Sequence, residues 1–117
     1  RTEVLVNQWL FWWTGGPEPA IDALLWERVI KPKVLKRPGN DPGILADAAA
    51  RLARFLPVLD RQLERRDYVI GPLSIADFAI GPRLDRDPDF LKFDVAPYRN
   101  IAAWLARLAA KPYWATA

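Results

Sequence analysis

Cysteine and histidine are both missing from the 117 residues. Without thiols there is no disulfide framework, no thiolate nucleophile and no sulfur ligand for zinc. Without imidazole the commonest general base and metal ligand is gone, which excludes triads and zinc sites built on it. The longest run of bulky apolar side chains is Trp9-Leu10-Phe11-Trp12-Trp13, far short of the roughly 20 residues that cross a bilayer, so no membrane partner is expected. The N-terminus has no charged segment leading into an apolar run and a small-residue cleavage site, and cytoplasm is the default expectation. No glycine-rich phosphate loop or dinucleotide fingerprint occurs. The chain opens on Arg1 instead of Met, as a piece of something longer or a trimmed product would.

What is present describes a packed domain. A hydrophobic fraction of 51% with 26% charged residues lies well away from the composition of disordered chains, and the length suits one domain over residues 1–117. The net charge of +3 comes from Lys and Arg dispersed among Asp and Glu, so nucleic acid is not an expected partner. The densest basic group, Lys31, Lys33, Lys36 and Arg37, falls where a helix is predicted to end, and cations there are favoured by the unpaired carbonyls.

A first helix is predicted from about Glu3 to Thr14, stopped by Gly15-Gly16-Pro17. Its apolar residues surround nearly the whole circumference, so it must be covered on more than one side. A second segment, from Glu18, carries Ile21, Leu24, Leu25 and Val29 at helical spacing and weakens near Lys31-Pro32, either as a separate helix or as a kinked continuation of the first. Lys36 to Gly43 is an exposed connection whose Asp41 is placed to cap the next helix, with Pro42 in its first turn. Leu45, Ala48, Leu52, Phe55, Leu56, Leu59 and Leu63 then define a long amphipathic helix bent at Pro57, with Asp47 and Arg51 spaced for an exposed ion pair.

Ser74-Ile75-Ala76-Asp77 forms an Asp version of the capping box, and Leu73 and Phe78 flank it as a hydrophobic staple. Arg83 to Pro97, rich in Asp and Pro, is predicted to be a loop around a short turn. Ile101, Trp104, Leu105 and Leu108 mark a last helix ending near Lys111-Pro112. No stretch alternates long enough for a strand. The fold class is therefore all-α, a bundle of about five helices.

Several strings in this order are similar to the C-terminal domain of glutathione S-transferases over essentially the whole chain. They are Trp9-Leu10-Phe11-Trp12, Arg54-Phe55-Leu56-Pro57-Val58-Leu59-Asp60, Arg66-Asp67-Tyr68-Val69-Ile70-Gly71, the Ser74-x-x-Asp77 cap, and Ala103-Trp104-Leu105-Ala106-Arg107-Leu108 leading to Lys111-Pro112-Tyr113-Trp114. Tyr98-Arg99-Asn100 departs from the many relatives with proline in the middle. The resemblance implies a parent that conjugates glutathione to electrophiles. In that family an N-terminal thioredoxin-like domain, no part of which lies in these residues, binds most of the glutathione and supplies the thiolate-stabilising residue. The helical domain covers the glutathione site, builds the apolar co-substrate pocket and contributes to a dimer. It implies no cofactor bound by this chain alone, with glutathione as co-substrate of the parent, and a homodimer partner or the thioredoxin-like domain as covering surface.

Trp9, Trp12 and Trp13 are the candidate wall for an apolar small molecule, with core packing or a subunit interface as the alternatives. No catalytic residue is expected. Leu73, Ser74, Asp77 and Phe78 are assigned to structure, since a serine without a base is a poor nucleophile. Asp85-Arg86-Asp87-Pro88-Asp89 fails as a calcium loop because Phe90 and Ala96 stand where Gly and Glu are needed, and no metal site is expected. The alternative to a transferase domain is a free-standing, non-catalytic helical module for protein assembly or apolar ligand binding.

Overall fold

The computed structural model of the chain describes residues 1–114. Five α-helices follow one another: α1 (Thr2–Gly15), α2 (Pro17–Leu25), α3 (Pro42–Gln62), α4 (Ile75–Leu91) and α5 (Arg99–Ala109). A wider, π-helical segment, Trp26–Val34, prolongs α2. Only Gly16 separates α1 from α2, so the two form one interrupted arm, and counted as packing units the bundle has four members. Among the described residues the extended structure is limited to an isolated bridge between Tyr68 and Gly71.

Gly16 breaks the arm for a packing reason. A Cβ there would stand 3.0 Å from the Trp12 carbonyl oxygen and 3.1 Å from the Phe55 ring. Pro17 then starts α2 at the first turn, where its missing amide costs nothing. Ala20, Ile21 and Leu24 of α2 are buried, and α2 packs most extensively on α3, which buries Ala48, Leu52, Leu56 and Leu59 at the predicted spacing. α3 begins as expected, with Asp41 Oδ1 accepting the amides of Gly43 at 2.9 Å and Ile44 at 3.1 Å, and it runs through Pro57 without a break. Asp47 and Arg51 do not form the predicted ion pair among those of the described residues; both are accessible, and in water such a pair gains little over two hydrated ions.

The predicted loop from Arg83 to Pro97 is corrected: α4 continues to Leu91. Ile80, Leu84 and Leu91 keep the helical period and are buried. Arg83 Nε bonds Asp87 Oδ2 one turn on, at 2.8 Å. These contacts carry the helix past Pro82 and Pro88, which remove two amide donors. Lys92 ends it in the left-handed conformation, φ 61°, and Arg28 Nη1 donates to the carbonyls of Leu91 and Lys92, tying the π-helical segment to the end of α4.

α5 buries Ile101, Trp104, Leu105 and Leu108. Its own N-cap, Tyr98, makes no side-chain capping bond. Asp60, near the end of α3, substitutes for it: Oδ1 accepts the amides of Asn100 at 2.9 Å and Ile101 at 3.1 Å. Losing an N-cap side chain costs about 1–2 kcal/mol, so Asp60→Ala is expected to lower the stability of the whole bundle by that amount in urea unfolding, with a matching fall in midpoint and no change in slope.

Candidate functional site

The site is best built from α1, because this helix leaves most of its apolar surface unburied. Only Trp13 is fully buried in it, whereas Val4 is 66% and Phe11 77% exposed. Trp9 and Trp12 are half-buried and packed against the edge of the core. The Trp9 and Trp12 rings meet edge to face at 5.0 Å between centroids, and Trp12 meets Phe55 of α3 the same way at 6.4 Å. Arg54 caps this row, its guanidinium carbon 5.1 Å from the Phe55 centroid. Such stacked aromatic edges are favourable contacts that hold the rings in fixed positions. The result is an aromatic row along one side of α1 and α3, while exposed Phe11, about 100° round the helix from Trp12, lies on another face.

The three tryptophans therefore divide. Trp13 packs inside the chain, its indole Nε1 donating to Glu18 Oε2 at 3.2 Å. Glu18 belongs to a cluster joining α2 and α4: Arg83 Nη1 bonds Asp22 Oδ1 at 2.7 Å and stands 3.8 Å from Glu18, while its Nε holds Asp87. Burial works against the Arg83 charge, but the hydrogen bonds to Asp22 and Asp87 outweigh it and raise its pKa. This cluster was missed in the sequence; the spacing of Arg83 and Asp87 was the available signal, hidden by reading the segment as loop.

Ser74 and Asp77 sit at the start of α4, away from the aromatic row. The capping box is closed, with Ser74 Oγ accepting the Ala76 amide at 3.2 Å and Asp77 Oδ2 accepting the Ser74 amide at 2.9 Å. Asp77 is fully buried, and its Oδ1 also accepts the amide of Val69 at 3.0 Å and the indole of Trp104 at 2.9 Å. Leu73 packs against the core. Phe78 is 37% exposed and lies beside Tyr113 and Trp114 at 6.0 and 6.3 Å. With its oxygens occupied by these three donors, and by the Ser74 hydroxyl at 3.5 Å, the Asp77 carboxylate anchors a turn and is not placed to move protons.

A concavity lies elsewhere, between the C-terminal half of α4 and α5. It encloses about 690 Å³, with Leu84, Phe93, Val95 and Leu105 among its apolar lining and Asp85, Asp89 and Asp94 on it as carboxylates. Among the described residues, neither the aromatic row nor this concavity carries a nucleophile beside a base. The arrangement offers walls and anchoring contacts, suited to binding and packing.

A family model described as the C-terminal domain of glutathione S-transferase matches residues 24–112. No curated protein matches the chain. Among solved structures, a glutathione transferase from Burkholderia graminis, crystallised with two glutathione molecules bound per subunit, superposes with a TM-score of 0.75 at 23% identity. The match covers 95% of this chain and 47% of that one, so the chain spans about half the length of its structural neighbour.

Proposed function

From a chain that belongs to the glutathione S-transferase C-terminal domain family, we propose the following role: it is the helical half of a protein that transfers glutathione to electrophiles, and α1 supplies the wall of the apolar co-substrate pocket together with a dimer surface. The observation that carries this is the aromatic row of Trp9, Trp12 and Phe55, together with Phe11, left 77% exposed on another face of the same helix. A bulky apolar face held rigid at the surface is the mark of a site that another body covers. Glutathione enters as the co-substrate of the whole protein, held mainly by a thioredoxin-like domain, and the neighbour crystallised with glutathione supports that assignment. Cytoplasm is the proposed location. Among the described residues no helix is long and apolar enough to cross a membrane.

The test is made on the natural gene product. A mass exceeding this chain by a domain of about 80 residues, with conjugation of glutathione to chlorodinitrobenzene, supports the reading. A product no heavier than this chain and inactive overturns it in favour of a non-catalytic helical module. In the active protein, Trp9→Ala is expected to raise KM for the electrophile several-fold and leave KM for glutathione unchanged. Phe11→Asp is expected to shift the native mass from two subunits to one. Unchanged values would remove Trp9 from the pocket and Phe11 from the dimer respectively.

A further inference from the structure

Away from α1, two surfaces complement each other in shape and charge. The first is a knob at the close of the π-helical segment. Val34 and Leu35 are adjacent, branched and 61% and 44% exposed, and exposed Lys33, Lys36 and Arg37 surround them. Among the described residues these three cations form no ion pair. Backbone bonds hold the knob in shape: the amides of Leu35, Arg37 and Asn40 donate to the carbonyls of Ile30, Lys31 and Glu27, each at 2.8 Å. Apolar groups fixed in the open in this way are preorganised for contact, because little ordering remains to be done on binding.

The second surface is the groove between α4 and α5, with its apolar floor and the carboxylates of Asp85, Asp89 and Asp94, against which Lys92 is the one cation on the lining. Arg28, near the start of the segment that ends in the knob, donates to the Lys92 carbonyl at 2.8 Å, which ties that segment to the rim of the groove. Two complementary patches on one chain allow a reciprocal pair, closed by a two-fold axis, in which each knob meets the other copy's groove.

We propose that a second copy of this chain docks here, the Val34–Leu35 knob of each copy seated on the apolar floor of the other's groove, with Lys33 and Arg37 facing Asp89 and Asp94. This contact is separate from the α1 face and does not depend on it.

Native mass of the full chain, read by light scattering at about 50 mM and about 500 mM salt, tests it, since exposed charge pairs are strongly screened over that range. The wild type is expected to be the larger species at low salt and to lose one halving of mass at high salt. Lys33→Glu with Arg37→Glu, and separately Asp89→Lys with Asp94→Lys, should each weaken association about a hundredfold, since like charges then face each other. Mixing the two reversed proteins should restore the larger species, because each negative knob then meets a positive groove. The mixture also controls for folding, as misfolded partners would not reassemble. Salt-independent mass, unaltered mass in both variants, or failure of the mixture to reassociate overturns the proposal. Phe11→Asp leaves knob and groove untouched, so loss of the α1 contact is read separately.

Discussion

Asp77→Ala is expected to remove about 4 kcal/mol from the unfolding free energy, the largest loss from any single polar truncation in the chain. The carboxylate is fully buried and accepts from three groups at 3.0 Å or closer: the Val69 amide, the Ser74 amide and the Trp104 indole. Alanine leaves all three without a partner. Each abandoned buried donor costs about 1–3 kcal/mol, and partial entry of water keeps the sum nearer the lower end. Asp77→Asn should also be costly, because its amide NH2 is a second donor turned toward donors. Urea unfolding followed by tryptophan fluorescence measures both, and since Trp104 is a direct partner, its emission should redden even in the folded variant. A loss under about 1 kcal/mol for Asp77→Ala would show that the contacts seen around this carboxylate contribute little.

Gly39→Ala is expected to cost about 3 kcal/mol, within the range of overpacking effects, although Gly39 has an ordinary negative backbone angle and alanine has the lower chain entropy to lose. The reason is space. A Cβ at residue 39 would stand 2.4 Å from the Glu27 carbonyl oxygen and 2.8 Å from the Pro32 ring, and neither can rotate away. The clash falls where the connection closes on the π-helical segment, beside the bond from the Asn40 amide to Glu27. The Glu27 side chain also accepts the Asp41 amide at 3.1 Å and pairs with Lys31; the Lys31 bond is the first cause of its lowered pKa, followed by the Asp41 amide. Its contribution is therefore present above the unfolded carboxyl value and lost as pH falls through the folded one. In the variant this pH dependence should flatten as the connection is displaced. Wild-type stability with an unchanged acid profile would refute the steric argument. Gly81→Ala offers the contrast: the nearest atoms are the tips of Leu108 and Trp114 at 2.9 and 3.0 Å, which can yield, and the helix gains from alanine.

The helices were legible where one face alone is buried. The repeat from Leu45 to Leu63 and the set Ile101, Trp104, Leu105 and Leu108 gave α3 and α5, and Asp41 and Ser74 marked two starts. The second half of α4 was not legible, because Pro and Asp carry loop signals that depend only on neighbours in sequence. Beside the local Arg83–Asp87 bond, what sustains the helix there comes from elsewhere: Asp22 of α2 on Arg83, and Arg28 on the final carbonyls. Trp9, Trp12 and Trp13 were recognisable as a group, but periodicity could not show that Trp13 turns inward to Glu18 while Trp9 and Trp12 line up toward Phe55. The acidic groove was hidden for the same reason, since most of its lining lay in the segment read as loop.

The cap that α3 lends to α5 also orders events in time. At 11 residues α5 is shorter than helices that persist alone in water, and its first turn is closed by Asp60, 40 positions earlier. That bond forms only after the intervening chain has looped back, a search whose entropy must be met before any contact repays it. α5 is therefore expected to dock late, onto an α3 already formed, so that Asp60→Ala accelerates unfolding and leaves the folding rate nearly untouched; stopped-flow rates for the variant check this, and the lifetime of the folded chain would then be set by how long its last helix stays attached.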